Sequence, residues 1–320
     1  MIIGLPVVEG HKLTEVAIDH LTKNAVMAET KVVVIDNGSV QSYEKWLGPD
    51  AECDCKNKNG QTVELIRNEE NIGYYQPLKQ LYDAYPDERY IGLMHNDLML
   101  YELGWDRRML MAFNEDPELG LIGLCGSKEV DERGGRGAYT VCNFMGREVQ
   151  VGDQVWKGQD PSAGRRIEGI EPAIVLDSLF MLFRREVIPH LVRDDEKWEG
   201  ITLAHFYDRI WPIRTIEAGY HVVTMGSDND HIGGMTTTGN ERYRNDCIKF
   251  LDDRGIEWRL PEGQEPPDMA TDPDYRKKPC GNPETQMYLV AEDRYLTEYK
   301  WLKQWMPAII REGYHVTHLA

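Results

Sequence analysis

The sequence of 320 residues lacks any long uninterrupted apolar segment. No run approaches the roughly 18 apolar residues that a membrane-spanning helix requires. The N-terminal segment MIIGLPVVEG has neither the basic flank nor the long apolar stretch of a secretory signal peptide. From these two absences we expect a cytoplasmic location.

Positive charge is in the minority. Asp and Glu number 54 against 36 Lys and Arg, which gives a formal net charge of −18 at pH 7. This excess argues against a general electrostatic attraction to nucleic acid, so no general nucleic-acid binding is expected. An acidic protein that binds an anionic ligand would benefit from a divalent cation, which directs attention to candidate metal ligands.

Paired cysteine motifs are absent. The six cysteines form no CxxC pair and show no zinc-like spacing, so we interpret them as free thiols. A redox role for Cys53 and Cys55 is the alternative to plain loop thiols. An apolar content of 41% and a charged content of 28% are typical of a globular protein with a proper core.

Two phosphate-binding patterns, GxGxxG and GxxxxGK[ST], are missing as well. The glycine cluster at 134–137 lies within a charged stretch, residues 126–172, for which we predict irregular structure and a flexible loop. A phosphate-cradling loop is the alternative interpretation of this cluster. Residues 257–283 are rich in Pro, Asp and Lys and predict a surface linker, after which helical spacing returns.

The first 125 residues alternate between apolar runs of strand length and segments with helical spacing, which predicts an α/β fold with a largely parallel sheet. The expected strands are residues 2–5, 31–35, 63–66, 90–94 and 119–124. Further on, the pattern predicts a strand pair in 174–183, a helix in 205–220 and a strand at 222–225.

The apolar run from Tyr90 ends abruptly at His95, Asn96 and Asp97. Alternate residues of a strand share a face, so His95 and Asp97 point the same way. In open α/β sheets, ligands bind at the carboxyl ends of the strands. The tripeptide therefore indicates a metal or substrate clamp, with a simple polar turn as the alternative.

Three further acidic or basic side chains lie at the end of a predicted strand, at the start of a predicted helix or in a loop. Asp36 ends a β-branched strand and is either a turn residue or a contact to a nucleotide. Asp208 is placed to cap the helix that follows it, with Pro212 near the first turn and Gly219 at the stop. His231 precedes a glycine pair and by itself is compatible with an ordinary loop histidine.

Taken together, residues 2–235 resemble the family 2 glycosyltransferases and their relatives of the GT-A fold. The resemblance depends on blocks that occur in the family's order: VVVIDNGS at 32–39, NEENIGYYQPLKQLYDA at 68–84, YIGLMHNDLMLYELGW at 90–105, LDSLFMLFRREVI at 176–188, HFYDRIWPIRTIEAGYHVV at 205–223 and HIGG at 231–234.

The resemblance implies a mixed, mostly parallel sheet flanked by helices and a metal-dependent transfer of sugar from a nucleotide-diphosphate donor, with a UDP-sugar expected and the acceptor not identified. It implies that Asp97 is the main metal ligand, that His231 completes the metal site and that His95 stands in the place of a first aspartate. The imidazole favours manganese over magnesium. Residues expected to bind the donor nucleotide are Pro6, Asp36, Asn71, Gly73 and Asn96.

On the acceptor side, the resemblance places Asp208 at the catalytic base that deprotonates an acceptor hydroxyl with inversion. Asp177 and Tyr207 are expected to contact the acceptor. Tyr207 and Ile210 replace two carboxylates of the family pattern, a change that would lower the pKa of Asp208 relative to a carboxylate-rich site.

The expected domain organisation is a catalytic domain at 1–240 and an extension at 241–320 that consists of the linker and a helical segment. The catalytic domain comprises a donor half at 1–125, the flexible loop at 126–172 and an acceptor half at 173–240. An aromatic stripe in the extension leaves peripheral membrane contact open, and a homo-oligomer is also kept open.

Three other functions compete with this one. A nucleotidyltransferase would share the sheet layout, but the residues after the first strand, LPVVEG, offer no basic phosphate loop. A catalytically inactive protein of the same fold that binds sugar nucleotides or acts as a scaffold is the non-enzymatic alternative. Transfer with retention of configuration is the third.

Overall fold

The structure is a computed structural model that describes residues 1–27, 29–44, 63–128, 136, 139–192 and 207–233. The expected linker and C-terminal extension at 241–320 lie outside the described residues. The α-helices are α1 (His11–Asn24), α2 (Tyr75–Ala84), α3 (Trp105–Glu115), α4 (Ile188–Leu191) and α5 (Tyr207–Glu217). Two 3-10 helices cover Pro161–Ala163 and Arg185–Val187.

Fifteen strands are found in the described part of the chain. They are β1 (Ile2–Val7), β2 (Lys31–Asn37), β3 (Glu64–Asn68), β4 (Tyr90–Met94), β5 (Leu98–Leu100), β6 (Leu119–Gly123), β7 (Cys125–Ser127), β8 (Val141–Cys142), β9 (Glu148–Val151), β10 (Gln154–Lys157), β11 (Ile170–Pro172), β12 (Val175–Leu176), β13 (Phe180–Arg184), β14 (His221–Met225) and β15 (Asn229–His231).

Eight of these strands form one mixed sheet in the order β11-β14-β6-β13-β4-β1-β2-β3. Strands β1 to β4 pair in parallel, and β14 pairs in parallel with β6. Strand β13 runs antiparallel between β4 and β6 and joins the two parallel groups. The expectation of a mixed, mostly parallel sheet flanked by helices is confirmed.

The sheet is covered on both faces, which explains why its strands are near-continuous apolar runs. All six residues of β1 are buried, and successive residues face opposite cores. Ile2 belongs to a buried cluster that also contains Leu78 and Leu81 of α2 and Trp211 of α5. Ile3, on the other face, packs in the core formed with α1 and α3. None of the described helices is long and apolar enough to cross a membrane.

The expectation of irregular structure in residues 126–172 is wrong for the part that the structure describes. Strands β7 and β8 pair with each other, and β12 pairs on the other side of β7. Strands β9 and β10 form an antiparallel hairpin, in which the sequence EVQV alternates exposed and buried residues as a half-buried strand does. Apart from Arg136, the glycine cluster lies outside the described residues.

Helix α5 differs from its expected start. Asp208 lies inside the helix, after Tyr207, so the interpretation as an N-cap is wrong. Pro212 also lies inside the helix. The predicted end is confirmed, because Gly219 adopts a left-handed conformation with a φ of 90° and donates its amide to the Ile216 carbonyl at 2.9 Å.

Candidate active site

The candidate site lies at the carboxyl ends of β1, β2 and β4, next to a two-stranded ribbon that β5 and β15 form. In this ribbon, Leu98 pairs with His231. The Ile232 amide donates to the Asp97 carbonyl at 2.9 Å. Two segments that are far apart in the sequence are thereby held side by side, and His231 comes next to Asp97.

His95, Asp97 and His231 each offer a ligand atom, and these atoms all lie within 4.8 Å of one another. Asp97 Oδ1 lies 3.1 Å from His231 Nε2 and 3.8 Å from His95 Nδ1. The same oxygen is buried and has no well-formed hydrogen bond among the described residues. Two imidazoles and a carboxylate suit a divalent transition metal, so the three residues fit the metal site that the sequence predicts.

Electrostatic interactions couple Asp97 and His231. Burial opposes the charged form of Asp97, but the nearby His231 and His95 outweigh it and hold the pKa of the carboxyl below its ordinary value. Burial likewise opposes a charged His231, but the Asp97 carboxylate raises the pKa of the imidazole above its ordinary value. The pair is therefore built to hold one negative and one positive charge, and a cation at this position would take over the role of the imidazolium.

Asp208 has a different environment. It is 6% exposed, and its Oδ2 accepts a hydrogen bond from Arg209 Nη1 at 2.9 Å. Its Oδ1 is buried and has no hydrogen-bond partner among the described residues. Burial raises the pKa of Asp208 to about 7, against the lowering effect of Arg209. Burial thus outweighs the expected effect of Tyr207 and Ile210, and the pKa lies above the ordinary value of an aspartate.

Aromatic side chains connect the helix that carries Asp208 to the candidate metal ligands. Tyr207 Oη lies 3.2 Å from His95 Nε2. Tyr74 stacks on Tyr207 with ring centroids 5.6 Å apart, and its centroid lies 5.2 Å from that of His95. Burial raises the pKa of Tyr74 to about 12, so its phenol stays neutral at physiological pH and can donate a hydrogen bond. The sequence did not identify Tyr74, although it directly precedes the predicted helix α2.

Asp177 is buried among positive charges. Its Oδ2 forms an ion pair with Arg136, and its Oδ1 accepts from the Leu179 amide at 3.2 Å. Burial opposes ionisation, but Arg136 and the two site histidines hold the pKa of Asp177 well below its ordinary range. Both oxygens have protein partners, so the expected contact to an acceptor stays a prediction. Arg136 was not identified from the sequence, because nothing in a glycine-rich stretch indicates that its arginine forms an ion pair with a distant aspartate.

Asp36 is fully buried and has internal partners. Its Oδ1 accepts from the Ser39 amide at 3.0 Å, its Oδ2 accepts from the Tyr43 amide at 3.1 Å, and Arg67 forms an ion pair with it. The carboxylate therefore shapes the turn after β2. This agrees with the interpretation of Asp36 as a turn residue, one of the two that the sequence left open. A direct contact between Asp36 and a nucleotide stays a prediction.

The remaining residues expected to bind the donor lie at the same edge of the sheet. Pro6 is the fifth residue of β1. Asn96 donates its side-chain amide to Thr14 Oγ1 at 3.0 Å and so connects the end of β4 to α1. Asn71 Oδ1 accepts from the Gly73 amide at 2.9 Å in the turn before α2. Their common location agrees with a donor site, while their individual contacts stay predictions.

Comparisons with known proteins identify a family and a similar fold. Residues 63–249 match the model of a glycosyltransferase-like family. No curated protein sequence matches the chain. Among solved structures, the mannosyltransferase PcManGT from Pyrobaculum calidifontis, in complex with GDP-Man and Mn2+, has a TM-score of 0.50 at 12% identity, and the match covers 81% of this chain and 65% of that one.

A second solved structure, S. aureus TarS 1-349, has a TM-score of 0.40 at 14% identity, and the match covers 70% of this chain and 57% of that one. The chain thus spans less than two thirds of the length of either structure. At these identities the likeness to PcManGT concerns the fold.

Proposed function

The chain belongs to a glycosyltransferase-like family, and on that premise we propose that it transfers a sugar from a nucleotide-diphosphate donor to an acceptor hydroxyl with inversion of configuration. The observation that carries this proposal is the environment of Asp208. Its buried Oδ1 has no partner among the described residues, and its pKa of about 7 allows it both to accept and to release a proton near neutral pH.

In this mechanism, Asp208 takes the proton of the acceptor hydroxyl while the hydroxyl oxygen attacks the anomeric carbon. The bond from that carbon to the diphosphate oxygen breaks, and the nucleoside diphosphate leaves from the opposite face of the sugar. One base and direct displacement are sufficient for inversion. The Arg209 guanidinium fixes the other carboxylate oxygen at 2.9 Å and so orients the base.

Asp97, His231 and His95 would hold the divalent metal. Two imidazole ligands favour manganese over magnesium, and the fold neighbour PcManGT was solved with Mn2+. When bound, such an ion supplies positive charge next to the diphosphate leaving group. The Tyr207 hydroxyl near His95 would keep the ring of that ligand in position.

Two classes of nucleotide-sugar donor should be tested first. The sequence resemblance favours a UDP-sugar, whereas the fold neighbour was solved with GDP-Man. The base-binding region of this chain would lie near the turn at Asp36 to Tyr43, whose shape depends on the buried Asp36 carboxylate. Both donor classes therefore belong in the first test.

The test uses the purified protein with Mn2+ and either GDP-mannose or a UDP-hexose, with water as the acceptor. Release of sugar is expected for one donor class, and NMR of the first product should show the anomeric configuration opposite to that of the donor. Asp208→Asn is expected to lower the rate at least about 100-fold, in line with the loss of a general base. Binding of the nucleoside diphosphate should persist in this variant.

The matched control is Asp228→Asn, which removes a carboxylate that is 42% exposed in an ion pair with Arg166. This variant should keep the wild-type rate. Retention of configuration in the product would exclude Asp208 as an inverting base. Absence of nucleotide binding with and without Mn2+ would contradict the proposed donor site and favour the scaffold interpretation.

A further inference from the structure

Cys125 and Cys142 lie directly opposite each other on the neighbouring antiparallel strands β7 and β8. Both side chains are buried, with exposures of 0% and 1%, and both are free thiols. The sequence contains no motif that pairs them, so their proximity is a consequence of the fold.

The backbone hydrogen bonds define the geometry of this pair. The Cys125 carbonyl accepts from the Asp177 amide at 2.7 Å, and the Cys142 amide donates to the Arg165 carbonyl at 3.1 Å. The backbone hydrogen-bonding groups of each cysteine thus point away from the other cysteine. The two residues therefore form a non-hydrogen-bonded pair of the antiparallel ladder. In such pairs the Cα atoms lie about 4.5 Å apart with both side chains on one face. This separation falls within the range of about 4.4 to 6.8 Å that disulfides require.

The two thiols also differ in acidity. A hydrogen bond between them raises the pKa of Cys125 and lowers the pKa of Cys142. The positive charge of Arg136 acts to lower the pKa of both thiols, so the difference between them comes from their mutual hydrogen bond. Because the thiolate is the nucleophile in disulfide exchange, Cys142 is the residue that would react first.

We propose that Cys125 and Cys142 are an oxidation site that closes into a disulfide between β7 and β8 when the protein meets a low-molecular-weight disulfide such as glutathione disulfide. The Cys142 thiolate attacks one sulfur of the reagent and releases one thiolate. Cys125 then attacks the Cys142 sulfur of the mixed disulfide and releases the second. The protein loses two electrons and two protons, and the reagent becomes two molecules of thiol.

The position of the pair gives the bond a local consequence. Strand β7 lies between β8 and β12, and the Cys125 carbonyl holds the backbone of Asp177. A disulfide would fasten β8 to the strand that supports Asp177. The site does not depend on the proposed transferase reaction.

The test uses the full-length protein, reduced and then incubated with excess glutathione disulfide. Thiols that remain are alkylated after unfolding, and peptides are mapped by mass spectrometry. Cys125 and Cys142 are expected in one cross-linked peptide pair, and alkylation of these two residues should be lost and then restored by dithiothreitol. Cys142→Ser should abolish this cross-link, whereas Cys247→Ser, the matched control, should retain it.

Both thiols are buried, so a parallel sample is refolded from urea in the same glutathione mixture to remove any barrier to access. A Cys125–Cys142 cross-link in either sample supports the site. Full alkylation of both residues in both samples at equilibrium overturns it, and so do cross-links that join either residue to another cysteine. The wild-type map alone decides the question if a serine variant does not fold.

Discussion

Three aspartates at one site have pKa values that their environments push in opposite directions. His231 and Arg136 hold the pKa values of Asp97 and Asp177, respectively, below the ordinary value against the effect of burial. Burial raises the pKa of Asp208 to about 7. Such divergence suits the roles proposed for these chemically identical side chains, in which the charged carboxylates would bind and the one titratable carboxyl would transfer a proton.

The first prediction concerns the pH dependence of the rate. Asp208 acts as a base only when deprotonated, so kcat at saturating donor should fall about tenfold for each pH unit below about 7 and level off above it. The measurement is kcat against pH from 5 to 9 with a fixed Mn2+ concentration. A kcat that does not fall as the pH drops below about 7 would contradict the assignment of the base.

The second prediction concerns the pH dependence of the stability. The folded state holds the Asp208 proton up to a pH of about 7, whereas an unfolded aspartate releases it near its ordinary pKa of 3.8. The folded state therefore binds more protons between these values, and the free energy of unfolding falls as the pH rises through this window. Between pH 4.5 and pH 8, removal of the titrating group should reduce this fall by about 3 kcal/mol.

Urea denaturation of the wild type and of Asp208→Asn at pH 4.5 and pH 8 measures this difference. Asp228→Asn serves as the control and should follow the wild type at both pH values. Parallel behaviour of Asp208→Asn and the wild type would show that the pKa of Asp208 is not raised.

At the scale of elements, a buried aspartate connects two parts of the first half of the chain. Asp106, at the start of α3, is fully buried and accepts hydrogen bonds from the Val26 amide at 3.0 Å, the Met27 amide at 2.8 Å and Thr30 Oγ1 at 2.9 Å. It thereby fixes the segment between α1 and β2 against α3. This segment leads into β2, which carries Asp36 one residue before its end.

The third prediction follows from this arrangement. Asp106→Ala removes a buried carboxylate that accepts from the Val26 and Met27 amides and from the Thr30 hydroxyl, and it should lower the free energy of unfolding by about 3 to 5 kcal/mol. Asp19→Ala is the control, because Asp19 is 48% exposed and forms an ion pair with Lys23 one helical turn away. That change should cost less than about 0.5 kcal/mol. Urea denaturation midpoints of the two variants would distinguish them.

The strands that could be predicted from the sequence are those buried on both faces, such as β1 and β2, because their apolar runs have no other explanation. The hairpin of β9 and β10 was missed although EVQV alternates, since the surrounding glycines and charges suggested a loop. The ribbon of β5 and β15 could not be predicted, because three-residue strands have no pattern of their own and depend on tertiary pairing.

The candidate site was predicted unevenly for the same reason. His95, Asp97 and His231 do come together as the family resemblance implied. The roles of Asp36 and Asp177 were harder to predict, since both carboxylates have backbone amides and arginines as partners that only the folded chain brings near. Burial, which determines the pKa of Asp208, is likewise a property of the whole fold.

For the whole molecule, the fourth prediction is that Mn2+ stabilises the fold. A ligand that binds only the native state raises the free energy of unfolding by about 2.7 kcal/mol at 100 times its dissociation constant. Thermal denaturation with and without Mn2+ should show this rise in Tm for the wild type. His231→Ala should lose the metal-dependent rise, whereas His190→Ala, which changes an exposed histidine, should keep it. An unchanged rise in His231→Ala would mean that the ion binds elsewhere.

If the proposed function holds, the ribbon that brings Asp97 and His231 together also determines when a growing chain can become active. A ribosome that adds about 5 to 20 residues per second releases residue 231 on the order of ten seconds after residue 97. For most of that interval the nascent chain carries Asp97 without Asp208, and throughout it the chain lacks His231, the third candidate metal ligand. A partly synthesised protein would therefore leave nucleotide sugars intact until the last strand of the sheet and the ribbon have formed.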